Sequence, residues 1–252
     1  MKNFKSILTA GSLIMVCGTA NAALVAGWDF QTTTNGGTAV TAQDSAQAKL
    51  FTANFGSGAL YLDGTNYSSN WSVSSTSAVT RELNAFNGTT QNASANGFST
   101  TTTSPACLAF VGAGVSGSGN YTANGKSGVF KISMANYKDL SISLATTRTG
   151  SGFTSMAWEV SNNGTSWTSA GTLSSGTTAG TITSSFSTLT LSTITALDNA
   201  TTAYVRFTLT GATAQSGNLK IDNVAFNATL VPAPGAAALI GLAGLITTRR
   251  RK

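Results

Sequence analysis

The sequence predicts an all-β fold, a two-sheet antiparallel sandwich of the jelly-roll type. Three observations support this prediction. No long amphipathic helical period occurs between residues 23 and 230, and short β-branched and aromatic runs recur between clusters of Gly, Asn and Ser. Only 9% of the 252 residues are charged, whereas 27 are Gly. This length and composition are typical of one large, exported β domain rather than a coiled coil.

The strands are predicted from their composition and, in places, from alternation. Residues 140–144 and 204–209 alternate apolar and polar side chains, as strands do when one face is buried. An Asn-Gly pair at 163–164 predicts a hairpin turn that leads into a strand near Trp167. Residues 64–104 are predicted to form long surface loops with only short strands. The predicted strands are 24–30, 59–63, 106–111, 128–134, 140–147, 155–161, 181–191, 203–210 and 219–227.

The first 22 residues have the pattern of a signal peptide. Two lysines precede an apolar stretch, and Ala20 and Ala22 form the small-x-small site that a signal peptidase accepts. We expect cleavage after Ala22 and therefore export. Cleavage removes Cys17 and leaves Cys107 without an intramolecular disulfide partner, so Cys107 is predicted to be a buried apolar residue.

The last 22 residues form a tail of three parts. A proline segment is followed by a short apolar helix, which is near the lower limit for a bilayer span, and then by a basic cluster that should stay in the cytoplasm. This order predicts transient insertion of the C-terminal helix in the inner membrane. The residues that define the tail are Val231, Pro232, Pro234, Gly235, Arg249, Arg250, Arg251 and Lys252.

This tail resembles the PEP-CTERM sorting signal of bacterial exosortase substrates. It is a variant, because Ala233 stands where the usual motif has glutamate. The resemblance implies that an exosortase-type membrane protease cuts near the Pro-x-Pro segment. The body, residues 23–230, would then be released to the cell surface or to the extracellular matrix of a biofilm. A plain tail anchor is the alternative.

Three phrases of the body resemble the jelly-roll ectodomains of secreted bacterial proteins, which include carbohydrate-binding modules. They are residues 27–30 near the start, 158–167 in the predicted hairpin and 218–224 in the last strand. The resemblance implies fold and location, and it does not imply a ligand.

Composition also excludes several functions. The chain has no histidine, which excludes His-based triads, His metal sites and imidazole catalysis. Six of the 14 basic residues lie at the chain ends, so the body carries equal numbers of basic and acidic residues and is a poor binder of nucleic acid. The acidic residues are scattered without a local motif. We therefore predict no catalytic residue, no organic cofactor and no enzymatic activity.

Two sets of residues are candidates for binding. Asp29 lies in the first predicted strand, whereas Asp222 and Asn223 lie in the last, and terminal strands of jelly rolls often lie close together. These oxygens could hold a structural Ca²⁺, or Asp222 and Asn223 could instead cap a strand end. Trp71 and Trp167 stand in polar stretches and are the tryptophans predicted to stack on sugar rings.

The sequence thus predicts a non-catalytic protein of the cell surface or matrix that interacts with extracellular polysaccharide or with matrix components. Polar, nearly uncharged faces suit hydroxyl-rich partners. Two other functions stay open, a secreted glycan-active hydrolase and a purely structural matrix protein.

Overall fold

The computed structural model describes residues 22–231 except 32–48, 75–76, 101, 104 and 179. The predicted signal peptide up to residue 21 and the predicted tail from Pro232 onward lie outside these residues. Within the described part, no helix is long and apolar enough to cross a membrane. The strands are β1 (Ala22–Trp28), β2 (Leu50–Thr52), β3 (Phe55–Gly56), β4 (Gly58–Tyr61), β5 (Leu83–Phe86), β6 (Cys107–Val111), β7 (Ser127–Ile132), β8 (Tyr137–Arg148), β9 (Ser155–Ser161), β10 (Thr168–Ser174), β11 (Ser187–Ile194), β12 (Ala203–Thr210) and β13 (Asn218–Leu230).

The strands form two sheets, in which every pair of named strands is antiparallel, and the predicted fold class is confirmed. The seven-stranded sheet has the order β11-β8-β13-β1-β3, with β6 also paired to β13 and β5 paired to β6. The six-stranded sheet has the order β10-β9-β12-β7-β4-β2. A single 3₁₀ turn, Ser94–Asn96, interrupts the described loops.

The last strand, β13, organises the seven-stranded sheet. It pairs with β8 along one edge, and with β6 and then β1 along the other. Its register with β8 shifts between Asp222 and Ala225, and Asn223 adopts the left-handed region with φ of 48°. Such an irregularity turns nearby side chains away from the regular pleat. It lies where the neighbour of β13 changes from β6 to β1.

Aromatic side chains dominate the core between the sheets. The ring centroids of Trp28 and Phe130 are 4.8 Å apart, and those of Phe130 and Phe226 are 5.0 Å apart. Trp158 also lies in this cluster and is 1% exposed. Cys107 is buried, as predicted, and burial raises the pKa of its thiol to about 12, which leaves it unreactive at neutral pH.

The predicted strands match the observed ones best where alternation is clear. The predictions for 155–161 and 203–210 coincide with β9 and β12, whereas β11 begins six residues later than predicted. Residues 64–104 were predicted to form long surface loops with only short strands, and the segment does contain the four-residue strand β5, which is mostly buried rather than at the surface. The Asn-Gly turn joins β9 to β10 as expected, and Gly164 has φ of 77°.

Candidate functional site, an aromatic face on the six-stranded sheet

The outer face of the six-stranded sheet carries aromatic and charged side chains. Along β12 the buried positions alternate with half-buried ones, so Tyr204 and Arg206 point away from the core. The strand register sets Tyr204 beside Lys131 of β7, and it sets Arg206 beside Glu159 of β9. Tyr61 of β4 lies in the same row as Arg206, because both flank residue 129.

Tyr67 and Trp167 join Tyr204 in a cluster of three rings, which we call the aromatic platform. The Tyr67 ring centroid lies 5.2 Å from that of Tyr204 and 6.2 Å from that of Trp167, both in edge-on geometry. Tyr67 is 46% exposed, and it is one of the few large apolar side chains in the described chain with such exposure. The platform therefore presents ring surface to solvent on the outer face of the six-stranded sheet.

The backbone that presents Tyr67 is strained. Asn66 and Tyr67 both have positive φ, 48° and 69°, which is uncommon for residues other than Gly. The turn is fixed by Asp63, whose Oδ1 accepts hydrogen bonds from the amide and the hydroxyl of Thr65 at 3.0 and 2.7 Å. Gly164 makes room for the ring, since a Cβ there would lie 1.9 Å from a Tyr67 carbon. Strain of this kind is often found at binding sites.

Charged groups hold the platform in place. Arg206 donates from Nε and Nη2 to Glu159 Oε2 at 3.1 and 2.8 Å, and its guanidinium carbon lies 3.9 Å from the Trp167 ring centroid. Lys131 Nζ donates to Asn66 Oδ1 at 3.2 Å. Because these contacts fix one face of Trp167 and the position of the Tyr67 turn, the rings are arranged before any ligand arrives.

The two predicted sugar-stacking tryptophans have different outcomes. The structure places Trp167 in the aromatic platform, half-buried, with its Nε1 donating to the Gly164 carbonyl at 3.1 Å. The prediction for Trp71 was wrong, because its side chain is fully buried. Trp71 Nε1 donates to the Ser127 carbonyl at 2.9 Å, and its ring packs 4.8 Å from Phe110.

Sequence reasoning missed Tyr67, Tyr204 and Arg206. The alternation in residues 204–209 already separates side chains that point outward from side chains that point into the core. Tyr204 and Arg206 belong to the outward group. No sequence signal marks Tyr67, because its place depends on the return of a polar loop across the sheet. An isolated bridge between Asp63 and Asn70 closes that loop.

The structure brings Asp29 and Asp222 together, as predicted, where β1 ends beside β13. The charge of Asp29 is close enough to act on Asp222, and both residues are fully buried. Asp222 Oδ1 accepts from the Asn223 amide and Oδ2 from the Thr89 amide, each at 2.8 Å. The predicted capping contacts to loop backbone are therefore present.

The side-chain amide of Asn223, next to Asp222, is only half satisfied by hydrogen bonds. Its Nδ2 donates to the carbonyls of Thr89 and Gln91 at 2.8 and 2.9 Å, whereas its Oδ1 is buried and has no hydrogen-bond partner in the described chain. Burial raises the pKa of Asp222 well above its usual range, and the Asp29 charge raises it further, although two backbone amides oppose this.

Two carboxyl groups and an unpartnered amide oxygen form the kind of oxygen set that Ca²⁺ prefers. These residues fit a calcium ion in chemistry. The described residues contain no group of three or more Asp, Glu or Cys side chains suited to a metal, so amide or carbonyl oxygens would have to complete the coordination.

Comparison with known proteins gives only distant structural likeness. No family model and no curated protein matches the chain. Similar solved structures include the CBM22-1 xylan-binding domain of Paenibacillus barcinonensis Xyn10C, with 9% identity, a TM-score of 0.43 and coverage of 85% of this chain and 100% of that one. Another is TmCBM61 in complex with β-1,4-galactotriose, with 11% identity, a TM-score of 0.34 and coverage of 57% of this chain and 81% of that one. A third is the carbohydrate-binding module CBM36 in complex with calcium and xylotriose, with 16% identity, a TM-score of 0.31 and coverage of 47% of this chain and 78% of that one. Likeness of this degree assigns neither a ligand nor a metal to this chain.

Proposed function

We propose that the protein is an exported, non-catalytic glycan-binding protein of the cell surface or extracellular matrix. The observation that carries this proposal is the aromatic platform of Tyr67, Trp167 and Tyr204. Aromatic rings offer an apolar surface to the C–H faces of sugars, and Lys131, Asn66 and Glu159 lie beside them with polar groups that match hydroxyls.

Replacing Tyr67 with alanine is expected to weaken polysaccharide binding at least tenfold, because the most exposed ring of the platform is lost. Affinity gel electrophoresis and calorimetry against a panel of neutral polysaccharides, including xylan and β-1,4-galactan, would measure this. Tyr121→Ala is the matched control, since Tyr121 is a half-buried tyrosine that lies on another loop, outside the aromatic platform. The proposal fails if no polysaccharide binds, or if both variants bind like the parent.

The same panel separates the two alternatives. Release of reducing sugar would indicate a hydrolase, and the absence of saturable binding would indicate a purely structural matrix protein. Glu159 is paired with Arg206, while Glu82 accepts from Lys126, Thr122 and the Ser72 amide, so both described glutamates are engaged in internal contacts. No observation therefore favours the hydrolase over binding.

Export and sorting through the tail form a second part of the proposal. The body that would remain after processing has paired ends, since Ala23 of β1 faces Ala228 of β13. The first and last strands of the body therefore lie side by side, with the start of β1 next to the end of β13. An exosortase-type protease would act after the helix has entered the membrane.

Intact-mass measurement of the protein recovered from cells and from their surroundings tests this sorting. We expect a form that begins near Ala23 and ends between Pro232 and Gly235, and we expect it to disappear when residues 249–252 are deleted, because the basic cluster holds the tail in place. A full-length C-terminus retained in the membrane would instead indicate a plain anchor.

We also propose that Asp29, Asp222 and Asn223 hold a structural Ca²⁺ between β1 and β13. When bound, the cation would neutralise two buried carboxyl groups and give Asn223 Oδ1 a partner.

A further inference from the structure

A second polar groove lies on the opposite sheet. Two clefts of about 560 and 210 Å³ adjoin on the outer face of the seven-stranded sheet, where Asn218 lines both. Arg148 and Lys220 line the larger cleft, while Arg81 and Phe86 line the smaller one. We call this surface the basic groove.

The basic groove carries positive charge without an acidic lining residue. Lys220 Nζ lies 4.6 Å from the Phe86 ring centroid, and neither Lys220 nor Arg148 forms an ion pair in the described chain. Asp222 is the next residue on the same face of β13, but it is fully buried and occupied by the amides of Thr89 and Asn223. The charge of Lys220 is therefore available to an external anion.

One buried polar atom of the groove also has no partner. Asn218 is 8% exposed and donates from Nδ2 to the Ser216 carbonyl at 3.3 Å, whereas its Oδ1 has no hydrogen-bond partner in the described chain. Arg148 borders the groove, but its register partner is the core residue Leu219, so its side chain lies on the other face of the sheet from Lys220 and donates there to the carbonyls of Gly150 and Gly152. Buried polar groups normally find a partner, so the groove lacks a donor for Asn218.

We propose that the basic groove binds the uronate sugars of an acidic polysaccharide. Such a sugar has a carboxylate for Lys220, and it has hydroxyls that can donate to Asn218 Oδ1. A simple anion would satisfy the cation but not the acceptor. Phe86 and Phe186 add half-buried ring surface at the two ends of the groove.

The test uses polygalacturonate, with its methyl ester as the uncharged control and a sulfated glycan as a third probe. Calorimetry with the full chain is expected to show binding to polygalacturonate that weakens with salt and is lost on the ester. Lys220→Gln should raise the Kd about tenfold. Lys138→Gln is the matched control, since Lys138 lies on the same sheet but near the opposite end of β8, exposed beside Asp139, and it should bind like the parent.

Three results would overturn this assignment: equal binding of acid and ester, equal loss in both lysine variants, or binding of the sulfated glycan alone. Melting temperatures of the variants separate a lost contact from a lost fold. Tyr67→Ala should leave polygalacturonate binding intact, so failure of the aromatic platform and failure of the basic groove can be told apart.

Discussion

Adding Ca²⁺ to the metal-free protein at pH 7 is expected to raise its melting temperature by about 5 to 10 °C. A ligand at a hundred times its Kd stabilises the folded state by about 2.7 kcal/mol, and a domain of this size gains about 2 to 4 °C for each kcal/mol. The physical source is the burial of Asp29 and Asp222, two carboxyl groups whose charges the cation would neutralise.

The response to Ca²⁺ should depend on pH in a defined direction. Because the folded-state pKa of Asp222 is raised above 3.8, the metal-free fold loses stability as pH rises from about 3.8 through that raised value. Calcium binds the ionised carboxylate, so its stabilising effect is present above the raised pKa and is lost as pH falls through it. Melting curves with and without EDTA at pH 7 and at pH 4 measure both effects, the stability of the metal-free fold and its increase with Ca²⁺.

Two aspartate variants make the calcium test specific. Asp222→Asn should abolish the shift in melting temperature with Ca²⁺. Asp139→Asn should keep the shift, because Asp139 lies on β8, partly exposed beside Lys138 and away from the proposed calcium site. An unchanged Ca²⁺ response in Asp222→Asn would show that the ion binds elsewhere. The absence of any response in the parent protein would leave Asp222 and Asn223 as capping residues only.

Replacing Lys126 with methionine is expected to lower the free energy of unfolding by about 3 kcal/mol. Lys126 Nζ donates to Glu82 Oε2, and the Glu82 side chain is 2% exposed, so the variant leaves a buried carboxylate without its cation. The remaining bonds from Thr122 and the Ser72 amide compensate only part of that charge. Urea unfolding followed by tryptophan fluorescence measures the loss.

The double variant Glu82→Gln with Lys126→Met should recover part of this stability, because it removes both charges. Lys131→Met, in the strand β7 that follows Lys126, is the control, and it should cost about 0.5 kcal/mol, since its side chain makes only a hydrogen bond and a ring contact near the surface. Equal losses in Lys126→Met and Lys131→Met would mean that the ion pair with Glu82 adds no stability beyond that of an ordinary lysine contact.

Much of the fold follows from local pattern. The strands β9 and β12 are readable because alternation has a period of two and one face is buried. The strands β2, β3 and β5 have only two to four residues, which is too short for a period to be recognised, and they form because longer neighbours offer free edges. Trp71 is buried for the same kind of reason, since the loop before it returns to the sandwich.

The candidate sites divide in a similar way. Asp29 and Asp222 could be paired from the sequence, because they belong to the first and last predicted strands, which a jelly roll often places side by side. The aromatic platform could not be assembled, since Tyr67 and Tyr204 are far apart in sequence and meet only through a strained turn. Contacts between distant loops carry no local signature.

The place of β13 also has a consequence for how the chain acquires its fold. The strand that joins β1, β6 and β8 is the last to be synthesised and the last of the body to be exported. Until residues 218–230 emerge, β1 can pair only with the two-residue strand β3, and its longer pairing with β13 must close a loop that spans nearly the whole body. Folding is therefore expected to be late and slow, which would keep the chain extended during translocation and let it condense only when its final strand arrives.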